Sequence, residues 1–338
     1  MKILFLVVGV LILSGSCSTP ESSGAANALR GGSSQALLYL NCRAVSQEEV
    51  EFVFSQPVTV KHVSFEPHLS VKSVENGSTV KIKFDDIPEA GKMIVTEILA
   101  EDAKRNSINV IVSFRSRNDQ MPALVINEIC TEYANAAAGK KSEFIELKMK
   151  SNGNMGAMRL VIIGNSAAAK ETIFEFSPVN VKKDDYAVVH LRAYDETNKD
   201  EYTDNLGESG GVNASPNARD FWAPGTAKLI HKTAFVYVLD QDDNVIDAVI
   251  LSEKPDNWWT KDYFAQAAEF LFNSGSWKSA EGDICRPADA VISGTATNTR
   301  TICRDEKAEN KNAAENWYVT VTSGATPGRP NNVNRYSN

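Results

Sequence analysis

Residues 122–150 read PALVINEICTEYANAAAGKKSEFIELKMK and contain two apolar, strand-like runs. Each run carries an acid at a position where a buried strand would have an apolar residue, Glu128 in the first run and Glu146 in the second. Alternate residues between Ile145 and Met149 are apolar, so one face of the second strand is predicted to be buried. Both glutamates therefore need partners, because an unpaired charge inside a protein is costly.

Length and composition predict two folded domains. The chain has 338 residues, which is enough for two cores of moderate size. Its content of 43% hydrophobic and 23% charged residues is typical of globular proteins. The formal net charge is -8 and the basic residues are scattered, whereas binding to nucleic acid requires clustered Lys and Arg. We therefore expect no nucleic-acid partner.

The N-terminus has the features of a secretory signal. Lys2 precedes an apolar run from Ile3 to Leu13, and small residues follow up to Cys17. At about 1.5 Å per residue, a helix of this run is too short to cross a hydrocarbon core about 30 Å thick. The position of Cys17 resembles the lipobox of bacterial lipoproteins, in the relaxed form that is typical of spirochaetes. The resemblance implies a signal peptide at residues 1–16 and an acylated Cys17.

A flexible tether is predicted to follow the acylated cysteine. Residues 17–35 contain almost nothing that a core could bury. Several acyl chains, at about 0.8 kcal/mol for each buried methylene, would hold the protein on a membrane essentially permanently. The alternative is an ordinary cleaved signal peptide with an incidental cysteine.

Residues 36–117 are predicted to form a first β-sandwich. Seven short alternating segments occur here, separated by turn-forming residues. One of the separations falls at residues 55–57, which read SQP. The order of the segments is similar to that of bacterial Ig-like modules.

A polar segment at 118–122 that ends in proline is predicted to be a linker, and a second domain follows at 123–331. Six strings occur in this second part: INEI at 126–129, EFIEL at 143–147, AFVYVLDQDDNVIDAVI at 234–250, TRTICR at 299–304, NWYVT at 316–320 and TPGRPN at 326–331. In this order they resemble the lamin-tail domain, an Ig-like β-sandwich of nuclear lamins and many secreted bacterial proteins. The resemblance implies an all-β chain with two β-sandwich domains in tandem, followed by a tail at 332–338.

The second domain is longer than is usual for the lamin-tail family, which implies insertions. The first, near 192–225, is rich in Asp, Asn, Gly and Ser and is predicted to be a long surface loop. The second, near 254–291, has apolar residues at helical spacing and is predicted to contain a short amphipathic helix, with these positions on its buried face: Phe264, Ala267, Ala268 and Leu271.

Aromatic residues in the two insertions have two possible roles. They either cap the core of the sandwich, which is the usual environment of tryptophan, or form an exposed binding face. In the second case the candidate interaction surface consists of Phe221, Trp222, Trp258 and Trp259.

The lamin-tail resemblance also implies a structural ion pair between Glu146 and Arg304, because an arginine closes the segment of the family that is similar to TRTICR. Glu128 and Glu146 would alternatively serve as general acid and base. No nucleophile, histidine or set of metal ligands accompanies them in the sequence. The string GESGG at 207–211 is similar to the motif around a protease serine, but Ser209 has no histidine in a matching context.

No cofactor is expected from the motifs present, and calcium is the remaining candidate ligand. The acidic run from Asp195 to Asp204, with Asp200 between them, would supply oxygen ligands if the loop gathered them around an ion. A solvated acidic loop is the alternative.

Cys285 and Cys303 are a candidate disulfide, because they bracket a polar loop in an exported domain. The bridge would close a loop of about 19 residues and contribute roughly 3 kcal/mol in the chain-entropy description. It requires Cα atoms within about 7 Å, which a sequence cannot establish.

These observations favour a monomeric, non-catalytic protein that is lipid-anchored in a bacterial cell envelope and displays its modules for adhesion, scaffolding or envelope interactions. Its partner would be an unknown protein or glycan. The anchor would lie in the outer membrane, with the protein on either face, or on the periplasmic face of the inner membrane. The alternative is an accessory protein or weak metal-dependent hydrolase associated with a secreted nuclease or protease.

Overall fold

A computed structural model of the chain describes residues 36–136, 139–164 and 170–337. The predicted signal peptide, Cys17 and the tether lie outside the described residues. Over the described ranges the chain forms twenty-one strands, one α-helix and two short 3₁₀-helices. The predicted all-β class is confirmed to the extent that the structure is mostly β.

One six-stranded sheet contains the N-terminal strands, in the order β3-β4-β2-β5-β6 with β1 also paired to β2. All of its pairings are antiparallel. Its strands are β1 (Tyr39–Ser46), β2 (Glu49–Glu66), β3 (Val71–Glu75), β4 (Gly77–Phe84), β5 (Met93–Asp102) and β6 (Ser107–Arg115).

The prediction of seven strands in this part was wrong because two of the predicted segments are joined in β2. The first part of β2 pairs with β1 and β4, and from Val58 onward it pairs with β5. Pro57 lies where the pairing changes, so its missing N–H costs no regular ladder bond. The change of partner brings β1 against β6 and encloses a core. The fully buried residues of that core include Val50, Phe52, Val80, Ile82, Ile94 and Ile98.

Two larger sheets and two two-stranded sheets contain the remaining strands. One of them has six strands, in the order β16-β15-β10-β7-β20-β21, and is called the six-stranded sheet below, whereas the sheet of β1–β6 is called the N-terminal sheet. The other is the five-stranded sheet, in the order β13-β12-β17-β18-β19. The two-stranded sheets are β8-β9, which are consecutive strands, and β11-β14, which pair across β12 and β13. The strands are β7 (Leu124–Cys130), β8 (Ala134–Ala136), β9 (Gly139–Lys141), β10 (Phe144–Met149), β11 (Gly153–Asn154), β12 (Arg159–Gly164), β13 (Glu171–Glu175), β14 (Asn180–Val181), β15 (Tyr186–His190), β16 (Ala218–Trp222), β17 (Ala234–Leu239), β18 (Val245–Ser252), β19 (Val291–Ile292), β20 (Ile302–Arg304) and β21 (Trp317–Val319).

The two larger sheets share one core, and the alternation of β10 shows how the sequence builds it. Ile145, Leu147 and Met149 are fully buried in that core, as predicted. Phe144 and Glu146 point to the opposite, outer face of the six-stranded sheet. The outer face also has a small apolar cluster, formed by Cys130, Phe144, Val188 and Ala218.

The predicted amphipathic helix is confirmed as α1 (Asp262–Asn273). Its buried side chains are Phe264, Ala267, Ala268 and Leu271, which are the four positions of the predicted apolar face. The helix contacts β17 and β18 and so covers the five-stranded sheet. Two 3₁₀-helices, Pro287–Asp289 and Ala314–Asn316, complete the helical elements of the described part.

The polar segment predicted as a linker contacts both groups of strands: Asp119 accepts the N–H of Gln47 at 2.9 Å, and Asn118 is buried against the second group. Asn118 is only 3% exposed, and its side-chain amide donates to the carbonyls of Asn154 and Gly156, at 2.7 Å each. The N–H of Asn118 donates to Oε1 of Gln241 at 2.8 Å. Polar composition therefore did not mean exposure at Asn118, because its side chain makes its hydrogen bonds within the protein.

Candidate functional site

Glu128 and Glu146 face each other across the β7–β10 pair on the outer face of the six-stranded sheet. Both side chains are fully buried, at 0% exposure. Their cover is formed by residues 322–331, which we call the C-terminal strap. The strap contains the TPGRPN string, so two features that the sequence singled out separately meet at this point.

Donors from the strap and from Thr301 satisfy the Glu128 carboxylate. The N–H of Thr326 donates to both of its oxygens, at 3.1 and 3.0 Å, and the Thr326 hydroxyl donates to Oε2 at 3.1 Å. The hydroxyl of Thr301, just before β20, donates to Oε1 at 2.5 Å. Such a set of donors favours the ionised form of Glu128.

Glu146 has fewer donors. The N–H of Gly328 donates to Oε2 at 2.7 Å, and the Asn127 amide donates to Oε1 at 2.9 Å. Gly328 has a φ of +73°, and a Cβ on it would lie 2.4 Å from the Ser215 hydroxyl oxygen. Only glycine permits this approach, so the strap reaches Glu146 because residue 328 lacks a side chain.

The two carboxyl groups are electrostatically coupled. Burial raises the pKa of Glu128, and burial together with the charge of Glu128 raises the pKa of Glu146 well above its ordinary range. Nearby, Nζ of Lys148 pairs with Glu306 at 2.8 Å, and that pairing lowers the pKa of Glu306 against the opposing effect of its partial burial. Glu146 has the weaker set of donors, and its pKa is raised by the charge of Glu128 in addition to burial.

The predicted ion pair between Glu146 and Arg304 was wrong, because Arg304 pairs with Asp247 of β18. Its Nη2 lies 2.5 Å from Oδ2 of Asp247, and both side chains are almost fully buried. The Arg304 Nε donates to the carbonyl of Ile126 at 2.7 Å, and its guanidinium stacks 4.6 Å from the ring centroid of Trp317. Burial raises the pKa of Asp247, and the charge of Arg304 opposes this shift.

One buried ion pair and one buried histidine–aspartate hydrogen bond were missed by the sequence analysis. Arg192 makes a bidentate pair with Glu143, with N–O distances of 2.7 and 2.6 Å. His190 lies 2.7 Å from Asp220, and its ring stacks on Trp222 at 3.9 Å between centroids. Acids inside apolar strand-like runs were the available signal, since Glu143 occurs in the EFIEL string with Glu146 and Asp247 occurs in the apolar run at 245–250.

Phe221 and Trp222 do not form an interaction surface. They belong to β16, which pairs in parallel with β15 at the edge of the six-stranded sheet, and they are only 1% and 8% exposed. Trp222 Nε1 donates to the hydroxyl oxygen of Ser209 at 2.8 Å, so the serine of the GESGG string supports the tryptophan. The prediction of a long surface loop near 192–225 was therefore wrong in its last part.

Trp258 and Trp259 differ from each other in environment. Trp259 is half-buried, packs on Phe235 at 4.9 Å and donates from Nε1 to the carbonyl of Cys285 at 2.9 Å. Trp258 is 72% exposed, which is among the largest values for an apolar side chain in the described ranges. The prediction of an exposed aromatic surface therefore applies to Trp258.

Two cavities flank this exposed tryptophan. One, of about 460 Å³, lies between Trp258 and the ends of β17 and β18. The other, of about 400 Å³, lies between Trp258 and α1. Polar side chains that line them include Asp256, Asn257, Glu269 and Asn273. We call Trp258 and its two flanking cavities the tryptophan surface.

Comparison with known proteins places the strands that carry these features in one family. Residues 122–319, more than half of the chain, match the family TP_1001_2nd, described as a protein second domain. The chain belongs to this family. The matched region begins at the end of the segment predicted as a linker and includes both glutamates, Arg304 and the tryptophan surface.

A relative of this TP_1001_2nd family member occurs in Treponema pallidum (strain Nichols), where it is described as an uncharacterized protein. The two are 24% identical over 267 residues, which cover 76% of this chain. The match spans 65% of the length of that relative, so the chain corresponds to just under two thirds of it.

Solved structures give weaker likenesses. A DUF4876 family protein from Bacteroides thetaiotaomicron is 12% identical, with 86% of this chain and 93% of that chain covered and a TM-score of 0.29. The N-terminal part of the bacterial S-layer protein SbsC is 13% identical, with 45% of each chain covered and a TM-score of 0.24. At these scores the likenesses assign neither fold nor function.

The aspartates considered for calcium are not gathered around one point. Asp195 accepts hydrogen bonds from Thr197, whereas Asp200 accepts from the N–H of Trp222 and the hydroxyl of Tyr202. Asp204 is fully exposed. Across the ranges that the structure describes, there is no group of three or more His, Cys, Asp or Glu side chains that could hold a metal ion.

The candidate disulfide is absent, because Cys285 and Cys303 are both free thiols. Cys285 belongs to the large core cluster and lies beside Trp259 and α1. Cys303 lies beside Glu128, with its Sγ 3.7 Å from the Thr301 hydroxyl. The two cysteines therefore lie in different surroundings, although the polar loop between them led us to predict a disulfide.

We predict that alkylation of the unfolded, unreduced protein labels Cys285 and Cys303 separately, as read by mass spectrometry of the peptides. A reducing agent should leave the melting temperature unchanged, since no bridge constrains the unfolded chain. A peptide pair joined by a disulfide between these two residues would contradict the structure.

In the described part of the chain, no helix is both long and apolar enough to span a membrane.

Proposed function

We propose that this chain is a lipid-anchored, non-catalytic protein of a bacterial cell envelope that binds an envelope glycan at the tryptophan surface. The observation that carries this proposal is the 72% exposure of Trp258 between two cavities of ligand size. Exposure of an apolar indole ring to water is unfavourable. Exposed tryptophans are common at sites where a binding partner covers the ring.

A glycan fits the chemistry of this surface better than an apolar peptide does. The C–H face of a pyranose ring is apolar and packs against an indole face, while its hydroxyl groups need hydrogen-bond partners. Asp256, Asn257, Glu269 and Asn273 supply carboxyl and amide groups on both sides of Trp258. Each cavity, at about 400 Å³ or more, has room for one sugar unit.

The burial of the two glutamates supports a non-catalytic role. A general acid or base must reach the substrate, whereas Glu128 and Glu146 have no exposed area and are bonded to the strap. Their pKa shifts follow from burial and mutual repulsion, which also occur at structural sites. We therefore assign them to holding the strap.

The anchor and the architecture complete the proposal. Cys17 would carry the acyl chains, and the tether at 17–35 would separate the membrane from an Ig-like domain at 36–117 and an enlarged lamin-tail domain at 123–331. The match to a Treponema pallidum protein supports the spirochaete form of the lipobox. We propose a monomer that is anchored in the outer membrane or on the periplasmic face of the inner membrane.

The test is the substitution Trp258→Ala. We expect it to weaken binding of the full chain to purified peptidoglycan, or to a purified envelope polysaccharide, by about 2 kcal/mol or more, as is typical of an aromatic anchor. Binding is measured by co-sedimentation at graded glycan concentrations. The melting temperature should not change, because the side chain is 72% exposed.

Ile111→Ala is the matched control, since Ile111 is also 72% exposed but lies on β6 in the N-terminal sheet. It should bind as the wild type does. Equal binding by Trp258→Ala and the wild type, or no binding of the wild type to either glycan, would contradict the proposal.

A further inference from the structure

A third pocket, of about 400 Å³, lies on the outer face of the six-stranded sheet that contains β7 and β10. Its floor includes Cys130 and Phe144 of the outer apolar cluster. The loop at 212–217 forms one wall and the C-terminal strap forms another. The tryptophan surface shares none of the residues that line this pocket.

The charge of this pocket is opposite to that of the whole chain. Among the described residues that line it, two are cationic, Lys141 and Arg329, and none is an aspartate or glutamate. The chain as a whole has a formal net charge of -8. Among the described residues, neither cationic side chain has a hydrogen-bond or ion-pair partner, unlike Arg192, Arg304 and Lys148 on the same sheet. Two unpaired cations at one cavity attract an anion.

The pocket also contains uncharged side-chain amides that have no hydrogen-bond partner among the described residues. The side-chain amides of Asn213, Asn217 and Asn298 line the cavity, and none has a hydrogen-bond partner within the described structure. Each amide offers two donor hydrogens and one acceptor oxygen. A ligand with an anionic group and further polar oxygens would satisfy both the cations and the amides.

The walls of the pocket are held in place independently of any ligand. The N–H of Ser215 donates to Asp220 at 2.9 Å, and the strap is bonded to Glu128 through Thr326. Gly324 donates from its N–H to the carbonyl of Thr299 at 3.1 Å. Because the walls are already ordered, ligand binding at this site involves little loss of conformational entropy.

We infer that the pocket between the strap and the 212–217 loop binds a small polar molecule through its phosphate or carboxylate group. Lys141 and Arg329 contact the anionic oxygens, and the asparagine amides contact the rest of the ligand. Phosphate esters and acidic sugars share this chemistry, so the experiment includes a probe for each.

Isothermal titration of the full chain, purified in detergent at low ionic strength, tests the inference with inorganic phosphate, glucuronate and neutral glucose as probes. We expect at least one of the two anions to bind and glucose not to bind. The double substitution Lys141→Gln and Arg329→Gln should weaken the binding about tenfold or more, because two charge-assisted contacts are lost.

Lys72→Gln is the matched control, since Lys72 is an exposed lysine on β3, far along the chain from the pocket, and makes no ion pair in the described structure. It should bind as the wild type does, and all variants should keep the wild-type melting temperature.

Binding of phosphate alone assigns a phosphate ester, and binding of glucuronate alone assigns an acidic sugar. The absence of binding by both anions at about 10 mM, well above the 1 mM constant of a weak site, would overturn the inference. Equal binding by the double variant and the wild type would also overturn it.

Discussion

Replacing Arg304 with alanine is expected to lower the free energy of unfolding by about 3–5 kcal/mol. The substitution leaves the carboxylate of Asp247 buried without its cation, and the low polarity of that position makes an unpaired charge expensive. It also removes the hydrogen bond to the carbonyl of Ile126 and the contact with Trp317. Urea unfolding at neutral pH, followed by tryptophan fluorescence, measures the change.

Arg335→Ala is the matched control for this prediction. Arg335 also pairs with an aspartate, Asp305 at 2.7 Å, and also stacks on an aromatic ring of β21, that of Tyr318 at 4.7 Å. Its side chain is 56% exposed, so its loss should cost only about 0–1 kcal/mol. Similar losses for the two variants would show that Asp247 is solvated and that burial does not determine the energetics of the pair.

Local alternation was sufficient to predict several elements. The apolar face of β10 follows from the two-residue alternation of a strand, and the buried face of α1 follows from the three- to four-residue spacing of a helix. Both predictions were confirmed. The same reasoning separated β2 into two segments at Pro57. That error has a physical cause: the strand continues through the proline because its pairing partner changes there, and partners are not encoded locally.

The sequence identified which acids need partners but not the partners themselves. Glu128 and Glu146 stood out because they interrupt apolar runs, and they are indeed buried and bonded. Their donors, Thr326 and Gly328, lie 198 and 182 residues away in the chain. Arg304 pairs with Asp247 and not with Glu146, because β18 packs against β7 and so brings Asp247 close to Arg304. Asp247 also accepts the N–H of Ile126 at 2.7 Å.

Aromatic exposure was the least predictable property. Phe221 and Trp222 occur in a polar insertion, yet a parallel pairing with β15 buries them. Trp258 and Trp259 are neighbours in sequence but differ in exposure, because only Trp259 packs on the core. The position of such a side chain depends on the sheet edge that it meets, which composition does not report.

The substitution Glu146→Gln is expected to stabilise the protein at pH 8 and to have little effect near pH 4. The pKa of Glu146 is raised in the folded state from an ordinary value of 4.5, by burial and by the charge of Glu128. Below that value the carboxyl is protonated in both folded and unfolded chains, and its environment costs nothing. As the pH rises, the unfolded chain ionises first, so the folded state loses about 1.4 kcal/mol for each unit of raised pKa.

Glutamine is neutral throughout this range and keeps an oxygen for one of the two donors, Gly328 or Asn127. The melting temperature of the wild type should therefore fall between pH 5 and pH 8, and that of Glu146→Gln should fall less. Each kcal/mol regained corresponds to about 2–4 °C for a domain of this size. Scanning calorimetry at unit steps of pH measures both curves.

Glu306→Gln provides a control of opposite sign on the same face of the sheet. Its pairing with Lys148 lowers the pKa of Glu306, so that its contribution is present above the unfolded pKa and is lost as the pH falls. This variant should be destabilised at pH 8 and unaffected at low pH. A melting temperature of Glu146→Gln that follows the wild type at every pH would mean that Glu146 is ionised without penalty, and the strap would then be held by a charged carboxylate.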